Sequence, residues 1–318
     1  MVGIHVPVLF QEVLDGLRVR PGGQYIDATV GGGGHAAGIL TASSPDGRVL
    51  GLDRDPVAVE TACVRLAPYA ARVVLVHSSF GRLREVAQTH RCVPADGVLF
   101  DLGFSSLQLA DSGRGFAFAT DGPLDMRFDP TRGRVTAADL VNELSLEELT
   151  ALLYQYGEET QARRIAEAIV AERPLHTTKE LAALVERVVG RGQRRKCSQK
   201  RSRKPIHPAT RTFQALRIAV NDELATLEAA LPHAVEVLAP GGRLAVISFH
   251  SLEDRLVKRF LRRESRDCVC LPEAPACVCD HRATLQLVTR KPIRPTADEV
   301  AANPRARSAR LRVAQRLE

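Results

Sequence analysis

The sequence predicts a doubly wound α/β domain interrupted by a block of helices, and three observations carry that reading. Short, uninterrupted apolar runs at 25–27, 48–53, 73–77 and 97–101 alternate with helical stretches, the pattern of a parallel sheet covered on both faces. Between about Asp111 and Pro205 the β-runs stop, and only helical periodicity remains, at 146–156, 161–172 and 178–189. Strand character returns at 243–248, after the tight turn Pro240-Gly241-Gly242, and again at 285–289. The boundaries that follow are 1–110 with 206–318 for a discontinuous α/β domain, and 111–205 for an inserted helical domain that recognises the substrate.

Each element has a local reason. After Pro7 the apolar positions fall at helical spacing and give a lead-in helix that Gly22-Gly23 ends. Four glycines follow the first strand, and an alanine-rich helix follows them. Ser43-Ser44-Pro45-Asp46-Gly47 is turn chemistry before the second strand. Asp55 is placed to cap a helix whose first residue is Pro56. The stretch after Pro208 reads as a helix with Phe213, Leu216 and Val220 inward, and with Arg211 and Gln214 together on its surface. Ser251 with Asp254 has the form of a capping box. Residues 310–314 alternate polar and apolar, as a half-buried antiparallel edge strand does.

Composition narrows the class. With 318 residues there is room for two domains and a full core. Charged residues make up 25%, and the mean hydropathy is −0.09. No apolar run approaches the ~18 residues of a membrane span, and the start of the chain lacks an export segment, so no membrane partner and a cytoplasmic location are expected. The formal charge is +7, and the stretch from Arg187 to Asn221 carries eleven Lys or Arg and no acid. That asymmetry favours a polyanionic partner such as RNA. Seven cysteines, an odd number, argue against a disulfide framework.

The glycine turn, Asp27-Ala-Thr-Val-Gly-Gly-Gly-Gly-His35, organises the chemistry. Glycines permit positive φ and expose peptide N–H groups at a helix start, which suits a nucleotide-like ligand. The spacing is not G-x-G-x-x-G, and a carboxylate at the strand end suits a cationic ligand better than a pyrophosphate. Asp53 ends the next strand 26 residues later and is placed to take a ribose diol. Together these features suggest S-adenosylmethionine rather than NAD.

Asp101 ends the fourth strand at the carboxyl edge, where such sheets bind ligands, and begins Asp-Leu-Gly-Phe-Ser-Ser-Leu-Gln108. A carboxylate there can accept a hydrogen bond from an exocyclic amine and turn its lone pair toward a methyl donor; capping of the next turn is the structural alternative. Phe80 either flanks an adenine or fills core. The stretch 114–127 reads either as a lid that stacks a base on Phe116 or Phe118 and meets phosphate with Arg114 or Arg127, or as a linker. The basic run 191–204 suits phosphate contacts. Ser248-Phe-His-Ser-Leu-Glu-Asp-Arg255 contains Ser, His and Asp but no nucleophile elbow, so a hydrolase is disfavoured. Cys268, Cys270, Cys277 and Cys279 form two C-x-C pairs that either hold zinc or make an inert or redox-sensitive loop.

Taken together with Pro123-Leu-Asp-Met-Arg127, Tyr156-Gly-Glu-Glu159 and Asn303-Pro-Arg-Ala-Arg-Ser308, these motifs resemble the bacterial 16S ribosomal RNA cytosine-N4 methyltransferase family, also called MraW or RsmH, over nearly the whole chain. The resemblance implies a class I S-adenosylmethionine-dependent methyltransferase fold with an inserted helical domain, acting on N4 of a cytidine in the decoding region of small-subunit rRNA. It carries cofactor contacts to Gly33, Gly34, His35, Asp53, Phe80, Asp101 and Gln108. The residues themselves point to Asp101 for orienting the amine, with Ser105, Ser106 and His250 as candidates for the cytosine pocket and Arg114, Arg127 and Arg211 as candidates for RNA contact. The chain departs from the family pattern at Phe104, Ala110 and Ala117, where Val, Asp and Ser are common. Oligomeric state stays open, a homodimer included. Two rivals remain: a nicotinamide dehydrogenase, which needs a pyrophosphate-binding glycine pattern, and a non-catalytic RNA-binding assembly protein, which has no use for the pair Asp27 and Asp53.

Overall fold

A computed structural model describes residues 7–105, 108–109, 111–132, 135–193, 207–270 and 277–318. The chain forms two compact units, Met1–Ser105 with Leu224–Glu318, and Ser106–Glu223. The second unit therefore takes in the helix Thr210–Asn221, which lies beyond the insert boundary drawn at 205.

The first unit is built on a seven-stranded sheet: β1 (Gln24–Asp27), β2 (Arg48–Asp53), β3 (Val73–His77), β4 (Ala95–Asp101), β5 (Leu238–Ser248), β6 (Leu285–Leu287) and β7 (Arg310–Arg316). Their order is β3-β2-β1-β4-β5-β7-β6. The first five strands pair in parallel, and β7 runs antiparallel to both β5 and β6. Side chains alternate between two cores, as the pleat requires. Ile26, Leu50, Val98, Phe100, Leu244 and Val246 enter one, while Tyr25, Val49, Leu99, Ala245 and Ile247 enter the other. Apolar residues thus occupy both faces, which explains the unbroken apolar runs.

Residues 310–314 are not an edge strand. β7 lies between β5 and β6, with Arg312 buried and Arg310 half-buried. Arg310 Nη1 donates to Asp254 Oδ2 at 2.7 Å, and Arg312 Nε donates to Asp254 Oδ1 at 2.8 Å. Burial pushes the Asp254 carboxyl upward, but the two arginine hydrogen bonds outweigh it and hold the group below its ordinary range. The alternation that looked like solvent exposure is a buried ion-paired face.

The second unit is helical around a core containing Leu149, Leu153, Ile165, Ile169, Leu181 and Leu216. Capping boxes start two helices, Thr136 with Asp139 before Ala137–Glu143, and Ser145 with Glu148 before Leu146–Gly157. The helices Ala162–Ala171 and Thr178–Gln193 complete the predicted set. Arg211 Nη1 and Gln214 Nε2 lie together as expected, donating to the Glu158 and Tyr156 carbonyls at the end of Leu146–Gly157. Among the described residues no helix is long and apolar enough to cross a membrane.

Candidate active site

Register brings three acids to one edge. Asp27 pairs with Leu99, Asp53 with His77, and Asp101 with Ile247, so each closes its strand at the carboxyl end. β1 and β4 are adjacent while the chain winds outward from them in opposite directions, which makes this the topological switch point.

The turn after β1 is fixed by those acids. Thr29 N donates to Asp27 Oδ1 at 3.2 Å, and Gly31 N to Asp53 Oδ2 at 2.8 Å. Gly31 and Gly33 have φ of 50° and 75°, the left-handed region that disfavours side chains. The four glycines divide their work. A Cβ on Gly31 or Gly32 would meet nothing nearer than 3.9 Å, whereas one on Gly33 would press Leu66 at 3.2 Å and one on Gly34 would strike Pro7 at 2.5 Å. The first two leave bare backbone facing open space; the last two let the turn pack. The helix Gly34–Ala42 then begins on Gly33 with no side-chain cap.

Asp27 is 1% exposed, and burial pushes its carboxyl up to about 7. Burial likewise raises Asp53, to about 6, against the amides of Asp55 and Gly31. His35 is buried, stacks on Phe10 with ring centroids 6.2 Å apart, and places Nε2 3.6 Å from Asp101 Oδ2. Both His35 ring nitrogens, Asp101 Oδ1 and Ser248 Oγ are buried with no hydrogen-bond partner among the described residues. Such groups cost free energy unless a ligand or water satisfies them. Asp101 is itself held by its backbone, whose N–H donates to Thr29 Oγ1 at 2.6 Å.

The other sequence candidates fare differently. Phe80 is partly buried, packs edge-on against Phe100 at 5.5 Å and belongs to the sheet core's margin. Ser105 follows β4 and is partly exposed; Ser106 and the basic residues 194–204 lie outside the described residues. Gln108 is buried in the second unit. The side chains of 114–127 have partners within the second unit. Arg114 Nη2 donates to the Arg127 and Phe128 carbonyls, and Arg127 makes a two-pronged pair with Asp125 at 2.9 and 2.6 Å. Phe116 stacks on Phe128 at 5.4 Å, and Phe118 stacks on His207 at 4.5 Å and meets Phe213 edge-on at 5.1 Å. His250 is the N-cap of the helix Ser251–Glu264. Its Nδ1 accepts from Glu253 N while Glu253 Oε2 accepts from the backbone of Phe249 and His250. The capping pair is therefore His250 and Glu253, and not Ser251 and Asp254, because Asp254 is drawn to the arginines of β7.

Sequence reasoning missed Thr29, Asp254 with its arginines, and Asn221. Asn221 bridges Phe128 N, Met126 O and Arg217 O, pinning the 126–128 loop to its helix. Only Thr29 had a signal, its place inside the glycine motif.

A switch-point site edged by three acids, on a parallel sheet whose last strands form an antiparallel insertion, defines a methyltransferase of the class I fold. A family model for the MraW methylase family matches residues 3–317. The protein called ribosomal RNA small subunit methyltransferase H in Thermomicrobium roseum is 56% identical over 316 residues, covering 98% of this chain and 94% of that one. Proteins of the same name from Symbiobacterium thermophilum and Dehalococcoides mccartyi (strain BAV1) are 51% and 49% identical, covering 99% and 98% of this chain and 97% and 86% of theirs. The chain belongs to the MraW methylase family, and is an S-adenosylmethionine-dependent methylase.

Proposed function

We propose that this methylase acts on N4 of a cytidine in small-subunit ribosomal RNA. The names of its relatives support the RNA class, and the observation that carries the chemistry is Asp101 Oδ1, buried at the tip of β4 without a hydrogen-bond partner among the described residues.

The turn fits the methyl donor. Gly31 and Gly32 offer backbone with no side chain before it, Asp53 a carboxylate at ribose position, and Asp27 and His35 buried polar atoms for the amino-acid end. Gly33 and Gly34 serve by letting the turn close, Phe80 by flanking the base, and Gln108 by the family match. When bound, S-adenosylmethionine would supply a sulfonium methyl to the amine nitrogen and leave as the thioether, the proton shed by the nitrogen passing to solvent.

Asp101 does the aligning. Its Oδ1 accepts one amine hydrogen, which turns the lone pair out of conjugation with the ring. Thr29, by holding the Asp101 amide, fixes the carboxylate before the substrate arrives, so little reorganisation remains. His35 Nε2 lies 3.6 Å from the other oxygen, beyond hydrogen-bond distance, and so stays available to the ligand. Ser105, Ser106 and His250, whose Nε2 is buried, are the candidates for the cytosine edge. A base inside a duplex cannot reach such a site, so the target cytidine is unstacked or turned out. RNA contact falls to the basic run 191–204, with Arg211 at the foot of the following helix.

The test is methyl transfer from labelled donor to small-subunit rRNA, with the products identified as nucleosides. Asp101→Ala is expected to lose turnover while donor binding survives through the turn; near-normal methylation by that variant removes the proposed role.

A further inference from the structure

The loop between the helix Ser251–Glu264 and β6 holds chemistry that methyl transfer does not use. Cys268, Cys270, Cys277 and Cys279 each offer a sulfur, and all four sulfurs lie within 4.8 Å of one another. Cys277 Sγ is 3.6 Å from Cys279 Sγ, which is 3.8 Å from Cys268 Sγ. A tetrahedral zinc with bonds of about 2.3 Å sets its thiolates roughly 3.8 Å apart. We propose that these four cysteines bind one structural zinc ion, a site separate from the methyl-transfer centre.

Three further features support a single ion. The separations are far beyond the ~2.05 Å of a disulfide, and all four cysteines are free. A polynuclear iron–sulfur cluster spreads its thiolates around several metal atoms, wider than this group allows. The C-x-C spacing, shorter than the usual zinc pair, is no obstacle, since Cys277 and Cys279 already converge at 3.6 Å. Val269 N donates to Cys279 Sγ at 3.4 Å, a backbone hydrogen bond that favours the thiolate needed for ligation.

Among the described residues nothing apolar holds the loop in this shape. Val278 is 82% exposed and Val269 42%, and Cys268 and Cys277 are exposed. Its base is stitched instead: Thr284 N donates to Glu264 O at 2.8 Å, Ala283 N to Asp267 Oδ1 at 3.2 Å, and His281 Nε2 lies 3.1 Å from Arg263 O. Those bonds bring the two pairs to the same place, and a metal there supplies what a core would elsewhere. Each thiol releases its proton on binding, and the flanking Arg262, Arg263, Arg266 and Arg282 offset the net negative charge of a four-thiolate zinc.

The full-length protein, expressed with zinc and iron both supplied and purified under a non-thiol reductant, is expected to carry one zinc per chain by elemental analysis. Stripped with chelator and refilled with cobalt(II), it should show thiolate-to-metal charge transfer and tetrahedral d–d absorption. Cys279→Ser should weaken zinc retention at least about 100-fold against a chromophoric chelator. Cys63→Ser, an exposed cysteine outside the group, should leave it unchanged. Trypsin cutting at Arg266 and Arg282 should quicken about tenfold on stripping, with the rest of the circular dichroism intact. A reduced chain that binds neither zinc nor cobalt, one that carries iron in place of zinc, or a Cys279→Ser variant that holds zinc like the parent overturns the proposal.

Discussion

Two stretches of this chain looked equally ready for a ligand, and they end differently. In the first unit, the end of β1 and the end of β4 bury His35 nitrogens, Asp101 Oδ1 and Ser248 Oγ without partners among the described residues. In the second unit, Arg114 turns to the carbonyls of its own loop, Arg127 to Asp125, and both phenylalanines to other rings. The physics separates them. A buried polar atom left unsatisfied costs about 1–3 kcal/mol, so a fold retains several in one place when something outside the chain satisfies them. A guanidinium with a bidentate carboxylate is already satisfied and stabilises its own loop. The partnerless atoms gathered at the sheet's carboxyl edge point to chemistry, and the hydrogen bonds of the 114–128 loop to architecture.

The sharpest way to break this contrast is Asp101→Ala. Turnover should fall about 10²–10³-fold, since the lost contact aligns the reacting nitrogen, while thermal stability stays within about 1 kcal/mol because no internal hydrogen bond to Oδ1 is lost. Single-turnover methylation and a melting curve read the two.

Asn221→Ala should do the reverse. Removing it strands Phe128 N and Met126 O, costing about 1–3 kcal/mol of stability in a urea titration.

Next comes Gly33→Ala, where φ of 75° and the 3.2 Å approach of Leu66 should cost about 1–2 kcal/mol and weaken donor binding in calorimetry. Gly190→Ala is its foil. That glycine lies in the helix Thr178–Gln193 with nothing within 4 Å of a new Cβ, so the change should stabilise by about 0.5–1 kcal/mol.

Charge gives the subtler test. Burial raises Asp27 to about 7 and Asp53 to about 6, above the ~4 of an unfolded aspartate. Both therefore hold protons more tightly folded than unfolded. Their contribution to stability is complete below about pH 4 and is lost as pH rises through 6 and then 7. Binding of a sulfonium ligand runs the other way, tightening by up to about tenfold per pH unit from 6 to 7 as Asp27 ionises. Asp27→Asn should flatten that part of both curves, read by urea unfolding at pH 5 and 8 and by calorimetry.

Much of this was legible in the sequence because the cues were local. Apolar runs placed β1 through β4, the glycines marked the turn after β1, and Asp55 with Pro56 capped the helix Pro56–Leu66 as read. What failed depended on distant partners. Residues 310–314 read as an edge because nothing nearby in sequence says that Arg312 pairs with Asp254, 58 residues away. The cap passed from Ser251 to His250 for the same reason. Arg114 and Arg127 read as phosphate ligands because sequence shows a charge without showing what neutralises it.

The most direct test of the central claim is nucleoside mass mapping of small-subunit rRNA after incubation with the protein and a donor carrying a heavy methyl group. The account predicts one N4-methylated cytidine bearing the heavy label, absent with Asp101→Ala. Label on a ring carbon or a ribose oxygen, or equal N4 labelling by the variant, would contradict it.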